Sequence, residues 1–166
     1  MSFSIRSATS DDAAGLVRLI HALADYEKLA DKCHAKEEAL RKHLAPDALP
    51  KCEALVAVED TDGKIVGMAL YFYNYSTFLT KWGIFLEDLF VMPEARGQGV
   101  GFALLKNLAK IAIDKGCERL DWNVLDWNEL AINFYNQLGA KPMSEWTTMR
   151  LEDEALVKVA QSAEAT

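Results

Sequence analysis

Residues 94–102 read E-A-R-G-Q-G-V-G-F, an arginine and three glycines set between a β-prone run and a helical one. The run before it, Ile84–Met92 (I-F-L-E-D-L-F-V-M), is apolar apart from Glu87 and Asp88, the composition of a largely buried strand. The run after it places Leu104, Leu105, Leu108, Ile111 and Ala112 at helical spacing. Glycines at 97, 99 and 101 let the backbone approach a ligand closely, and the first turn of the following helix has N–H groups with no intrahelical partner. The stretch predicts a cradle for anionic oxygens, above all phosphate.

Three phosphate-binding patterns compete for it. A P-loop requires G-x-x-x-x-G-K-S/T, and no glycine here is followed by Lys and Ser or Thr at that spacing. The dinucleotide fingerprint G-x-G-x-x-G fails because Gly101 comes one place early. Asp121 suits a ribose contact superficially, but about ninety residues precede the loop and too few follow to build a doubly wound sheet. The pattern Q/R-x-x-G-x-G/A is satisfied by Arg96, Gly99 and Gly101.

At 166 residues the chain is long enough to bury about 70% of its unfolded surface in one core. Cys33, Cys52 and Cys117 form an odd set without C-x-x-C spacing, which argues against a disulfide framework and a zinc site and fits a reducing cytoplasm. His21, His34 and His43 are scattered without a ligand pattern, so no metal is expected. Met1–Ser4 runs straight into strand-like residues, leaving no signal peptide, and no apolar run reaches spanning length, so no membrane partner is expected. The net charge of −7 argues against nucleic-acid binding and leans weakly towards a cationic small molecule.

The elements follow one continuous α/β pattern. Ser4–Ser7 reads as a strand, and Thr9 with Asp12 as a capping pair before a helix burying Ala13, Leu16, Val17, Ile20, Leu23 and Ala24. A polar helix is expected over Ala35–Leu44, and a hairpin joins Ala54–Glu59 to Lys64–Tyr73 through Asp60-Thr61-Asp62-Gly63. A less regular Asn74–Lys81 leads to the strand, loop and helix already described, the helix ending before Gly116. Arg119–Leu125 alternates as a strand, Glu129–Leu138 is a short helix, Trp146–Leu151 a final strand and Glu152–Thr166 a polar tail.

With these neighbours, the loop resembles that of the GNAT superfamily of acetyl-CoA-dependent N-acetyltransferases. L-E-D-L-F-V-M at 86–92, R-G-Q-G-V-G at 96–101, L-K-N-L at 105–108, W-N at 127–128, N-F-Y at 133–135 with G-A at 139–140, and A-D-Y-E at 24–27 are similar to its diamine branch, the spermidine/spermine and thialysine N-acetyltransferases. The resemblance implies an α/β (α+β) fold: a central mixed, mostly antiparallel sheet of about six to seven strands flanked by about four helices. It implies one domain over residues 1–152 with a polar tail at 153–166. It also implies acetyl-CoA as donor and a homodimer, for which the aromatic Tyr71–Tyr75 and Phe78 region is an interface candidate.

Acetyl transfer to an amine requires a base, because an alkyl ammonium has a pKa near ~10. It also requires fixed donors for the developing oxyanion and a proton for the departing thiolate. On the Glu129–Leu138 helix Tyr135 falls on the apolar arc with Leu130, Ala131, Phe134 and Leu138; left to pattern alone it is a core tyrosine bonded to a backbone carbonyl, and the resemblance makes it the acid. Adjacent Glu87 and Asp88 project to opposite faces of a strand, and parity puts Glu87 with Leu89 and Val91 unless a bulge intervenes. The resemblance makes Glu87 the base, acting through water, and implies a bulge that turns an N–H near Val91 towards the acetyl carbonyl. It assigns the pantetheine arm to main-chain groups of Leu89, Phe90 and Val91 and to Asn128. The diphosphate falls to Arg96, Gly97, Gln98, Gly99, Val100, Gly101 and Phe102, with Tyr135 beside the thioester.

On the acceptor side Tyr26, Glu27 and Glu87 match positions that touch the substrate amine, with Asp25 and Asp31 adding charge nearby. The polyamine enzymes carry a carboxylate where this chain has Thr77, next to Lys81, and another where it has Thr147, with Glu145 nearby as a substitute. Missing partners for distal ammonium groups shift the expected acceptor from spermidine to a shorter or lysine-like amine. Other acceptors in the same fold, a protein lysine or N-terminus or an aminoglycoside, stay open, as does a domain that senses CoA without turnover.

Overall fold

Asp60–Gly63 reverses the chain as its composition predicts: Gly63 takes φ +73°, and Asp62 Oδ1 accepts the Lys64 N–H at 2.9 Å. This turn joins β2 (Glu53–Glu59) to β3 (Ile65–Ser76). The computed structural model describes residues 2–49 and 51–162, and the chain divides after Asn123 into two compact units.

The first unit is a five-stranded sheet in the order β1-β2-β3-β4-β5, with β1 at Phe3–Ser7, β4 at Lys81–Val91 and β5 at Leu120–Trp122. The first three pairings are antiparallel, and β4 pairs β5 in parallel. The sheet is therefore mixed and mostly antiparallel, as expected. The Asn74–Lys81 stretch is more regular than expected: β3 continues to Ser76 and a turn over 77–80 leads into β4. Tyr75 lies directly opposite Trp82 with ring centroids 5.1 Å apart, a cross-strand aromatic pair that sustains strand structure without hydrophobic alternation.

Thr9 and Asp12 form the expected capping box, ahead of α1 (Ala13–Tyr26). Leu19, outside the expected stripe, is fully buried with Ala13 and Leu16, while Val17, Ile20, Leu23 and Ala24 are partly covered. α2 is shorter than expected, Glu37–His43. One core cluster joins Leu16, Leu19 and Leu44 to Met68, Leu70 and Phe90 of the sheet. On the opposite face lies α3 (Val100–Asp114), burying Val100, Leu104, Leu105, Leu108 and Ala112. Gly67 permits that approach: a Cβ there would stand 3.0 Å from Val100 Cγ1 and 3.1 Å from Leu104 Cδ1.

The second unit holds α4 (Glu129–Gln137) and α5 (Asp153–Ser162). Asn128 caps α4, its side chain accepting the Ala131 N–H at 3.2 Å. The strand expected over Trp146–Leu151 is not formed; Trp146, Met149 and Leu151 are exposed in a loop. Alternation makes a strand only where a neighbour completes the hydrogen-bond ladder, and among the described residues none pairs with this segment. The six to seven strands and four helices expected thus become five strands and five α-helices among the described residues, the fifth helix formed by the polar tail.

Candidate active site

The bulge implied in β4 is present, and it sits at Glu87. Leu70 pairs with Asp88 and Tyr71 with Leu86, so Glu87 has no partner across β3. An inserted residue shifts the alternation of everything beyond it. The Met92 N–H donates to the Val66 carbonyl at 2.9 Å, so alternation turns the main-chain groups of Phe90 and Asp88 towards β3 and those of Leu89 and Val91 to the opposite edge. β5 covers that edge only from Ile84 to Leu86. From Glu87 onward β4 has an open second edge among the described residues, with Leu89 and Val91 presenting polar groups along it.

The bulge separates the environments of the two carboxylates, and Asp88 keeps the side of Phe90 that parity gives it. Glu87 is exposed in the bulge, while Asp88, directly opposite Leu70, lies on the face carrying Phe90 and the core cluster. Burial, helped by the negative charges of Glu87 and Glu27, pushes the Asp88 carboxyl up to about 6. Burial also raises Glu27, which follows the last residue of α1. Among the described residues none of these three carboxylates forms an ion pair. Unpaired negative charge on the half-buried Asp88 and Glu27, with the exposed Glu87 beside them, costs free energy unless a cation joins it. Asp88 is the residue that sequence reasoning passed over. Its signal was the second carboxylate of the apolar strand, and the position of the bulge decides which of the two is buried.

The loop takes the turn geometry that its glycines predict. A 3₁₀ turn, Pro93–Ala95, leads out of β4, and Gly97 and Gly99 take φ +72° and +82° with open space where a Cβ would project. Gly99 is the N-cap of α3, so the first N–H groups of that helix follow directly from the exposed Arg96–Gly99 turn. Gly101 faces Val91, a Cβ there standing 3.7 Å from Val91 Cγ2. Val100 is buried beneath the turn and Phe102 half-exposed above it. Gln98 Nε2 donates to the Glu94 carbonyl at 3.2 Å. Arg96 is held in place: Nε donates to the Val91 carbonyl at 2.9 Å, and its guanidinium lies over the rings of Tyr26 at 4.9 Å and Phe90 at 5.4 Å.

In the second unit Tyr135 is half-buried on α4, its ring tilted against that of Phe134 with centroids 5.3 Å apart. Burial pushes its phenol up to about 12. Asn128 stands at the start of the same helix. Of the residues weighed for the acceptor, Tyr26 and Glu27 are partly buried at the end of α1, whereas Asp25 and Asp31 are exposed. Thr77 begins the β3–β4 turn, and Lys81 is engaged by Glu118 at 3.6 Å. Glu145 and Thr147 are exposed in the loop before α5.

The bulged strand with its open edge, the glycine turn at its end and the helix opening from that turn are the features that the resemblance to N-acetyltransferases leads one to expect. The profile of the Acetyltransferase (GNAT) family matches residues 18–140, and the chain belongs to that family. It is 42% identical over 164 residues to thialysine N-epsilon-acetyltransferase of Bos taurus, covering 94% of this chain and 96% of that protein. L-ornithine N5-acetyltransferase of Arabidopsis thaliana is 32% identical over 194 residues, covering 92% of this chain and 85% of that one. Among solved structures, an integron cassette protein from the mobile metagenome of V. cholerae superposes with a TM-score of 0.80 at 32% identity, over 97% of this chain and 99% of that one. The chain is thus an acetyltransferase of amines, on the diamine and thialysine branch of its family.

Proposed function

We propose that this enzyme transfers the acetyl group of acetyl-CoA to a primary amine of a short dication, of the length of thialysine, lysine or ornithine, by direct attack in a ternary complex. The observation that carries the acceptor is the group of carboxylates Glu27, Glu87 and Asp88, which has no cation of its own among the described residues. An ammonium entering there is attracted by all three, and Asp88, raised to about 6, takes its proton close to neutral pH. Glu87, in solvent on the bulge, holds the amine or relays the proton through water.

The residues of the donor side fit acetyl-CoA. Main-chain N–H groups of the Arg96–Phe102 turn would hold its diphosphate, with Arg96 adding charge. Convergence matters, because one helix-end contact contributes only about 0.3–2 kcal/mol. Leu89 and Val91 turn their main-chain groups to the open edge of β4, as the pantetheine arm requires, and the family resemblance adds Asn128 to the residues that hold it. The Val91 N–H donates towards the acetyl carbonyl as negative charge gathers there. Tyr135, protonated at neutral pH, returns a proton to the departing thiolate. No step calls for a metal.

Residues 1–152 act as one catalytic domain in this reading, since the family profile runs across both units. A second copy of the chain covers the exposed Phe72, Tyr75, Phe78 and Trp82 of the β3–β4 hairpin, Tyr71 being buried and unavailable. We place the enzyme in the cytoplasm, where free cysteines and acetyl-CoA coexist.

The test is thiol release from acetyl-CoA with thialysine, lysine, ornithine, putrescine, spermidine and an aminoglycoside, at several pH values. The short dications should exceed spermidine in kcat/KM by about tenfold or more, because Thr77 offers no charge to a distal ammonium. Selectivity for spermidine or the aminoglycoside overturns the acceptor, and absence of thiol release with every amine overturns the small-amine reading.

A further inference from the structure

Arg96 belongs to three elements at once. It springs from the glycine turn, bonds the Val91 carbonyl of β4 at 2.9 Å, and lays its guanidinium 4.9 Å from the ring centroid of Tyr26, the last residue of α1. The buried Phe90 ring lies on the same guanidinium at 5.4 Å. Glu27 follows Tyr26 directly in the chain. One side chain therefore connects the turn assigned to the donor with the helix end assigned to the acceptor.

We infer that Tyr26 is a positioning residue that acts through Arg96, so that a diphosphate on the glycine turn and an ammonium at Glu27 strengthen each other's binding. The inference rests on the donor and acceptor sites proposed above. A guanidinium recognises anions with the N–H groups around its edge and aromatic rings with its face. The two uses do not compete. Anchoring the edge on a diphosphate fixes the plane, and the fixed plane holds the Tyr26 ring and, with it, the end of α1 that carries Glu27. Coupling of this kind is reciprocal: the amine that settles α1 also settles Arg96 for the donor. Tyr26 then serves the acceptor less by touching it than by fixing the residue that does.

The experiment measures binding of thialysine by calorimetry with and without saturating CoA, a ternary complex that cannot turn over. In the unaltered enzyme CoA should tighten thialysine about fivefold or more. Tyr26→Phe keeps the ring and should keep that factor. Tyr26→Leu should bring it to about one and weaken CoA itself about two- to fivefold. Arg96→Lys keeps the charge but has no planar face, and should lose the coupling too; it carries the test if Tyr26→Leu lowers the melting temperature too far. Full coupling in Tyr26→Leu or Arg96→Lys overturns the inference, and so does a Tyr26→Phe variant as impaired as Tyr26→Leu, which would place the hydroxyl on the amine. If Arg96→Leu binds CoA as well as the unaltered enzyme, the donor site itself is misassigned. That result differs from tight CoA binding with no coupling, which refutes the inference alone.

Discussion

Glu87 and Asp88 are neighbours in the chain and opposites in environment: the β4 bulge leaves Glu87 in solvent and turns Asp88 onto the face of Phe90, where its carboxyl is pushed up to about 6. A base of that affinity sits between a solvated carboxylate and a neutral imidazole in strength. The profile of kcat/KM against pH should therefore rise through an inflection near 6, below the separate rise as the amine loses its own proton. Asp88→Asn should abolish the lower inflection and reduce kcat by about 10²–10⁴. Glu87→Gln should move it to lower pH, because the negative charge of Glu87 is one of the causes that raise Asp88. An inflection left in place in Asp88→Asn would remove that residue from the role.

The same carboxylate burdens the fold. Its folded pKa of about 6 lies above the ordinary carboxyl value of 3.8, so the folded state binds the proton more tightly than the unfolded one. Stability is greatest below the unfolded value and is lost as pH rises through about 6. At pH 8 Asp88→Asn should raise the free energy of unfolding by about 2–3 kcal/mol at most, and at pH 3 the gain should vanish. Denaturant titrations at the two pH values, run beside activity assays, measure both sides of this exchange of stability for catalysis. Equal stability of the two proteins at pH 8 would contradict it.

Tyr135 carries a different expectation. Burial holds its phenol protonated, up to about 12, so it is in the donating form throughout the working range and contributes no alkaline limb near neutrality. Tyr135→Phe preserves the ring that packs against Phe134 and removes only the hydroxyl. It should lower kcat about tenfold or more while calorimetry finds acetyl-CoA affinity little changed. A fall in affinity with kcat unaltered would make the hydroxyl a binding contact instead.

Much of this site was legible before folding because each feature depends on local chemistry. Gly97 and Gly99 announce their turn, since positive φ with room for a ligand is what glycine uniquely permits, and the strand before it and the helix after it follow from periodicity. What was not legible depends on pairing. The run from Trp146 to Leu151 alternates like a strand yet has no neighbour to complete it. Glu87 has no partner on β3 while Asp88 pairs with Leu70, and no composition rule says where along the strand a bulge will fall. The stacking of Arg96 on Tyr26 joins residues about seventy apart in the chain, beyond the reach of any local pattern. The polar tail differs again: its sequence permits a helix without hydrophobicity demanding one.

Arg6 and Asp12 anchor the frame that carries Glu27. Two bonds of 2.7 Å join the guanidinium to the carboxylate, which also accepts the Thr9 N–H at 2.8 Å. The Arg6 bonds, more than any other cause, hold the Asp12 carboxyl below its usual value. Its contribution to stability is therefore present above the ordinary carboxylate pKa and lost as pH falls through the lowered one. Arg6 is 47% exposed on its side chain against 10% for Asp12, so solvent screens part of the attraction. Asp12→Asn should cost about 1–3 kcal/mol of unfolding free energy at pH 7, and the deficit should shrink at an acid pH low enough to protonate Asp12, where both proteins carry a neutral group. Urea titrations at the two pH values decide it: a deficit unchanged at acid pH would mean that cap geometry and not charge ties β1 to α1.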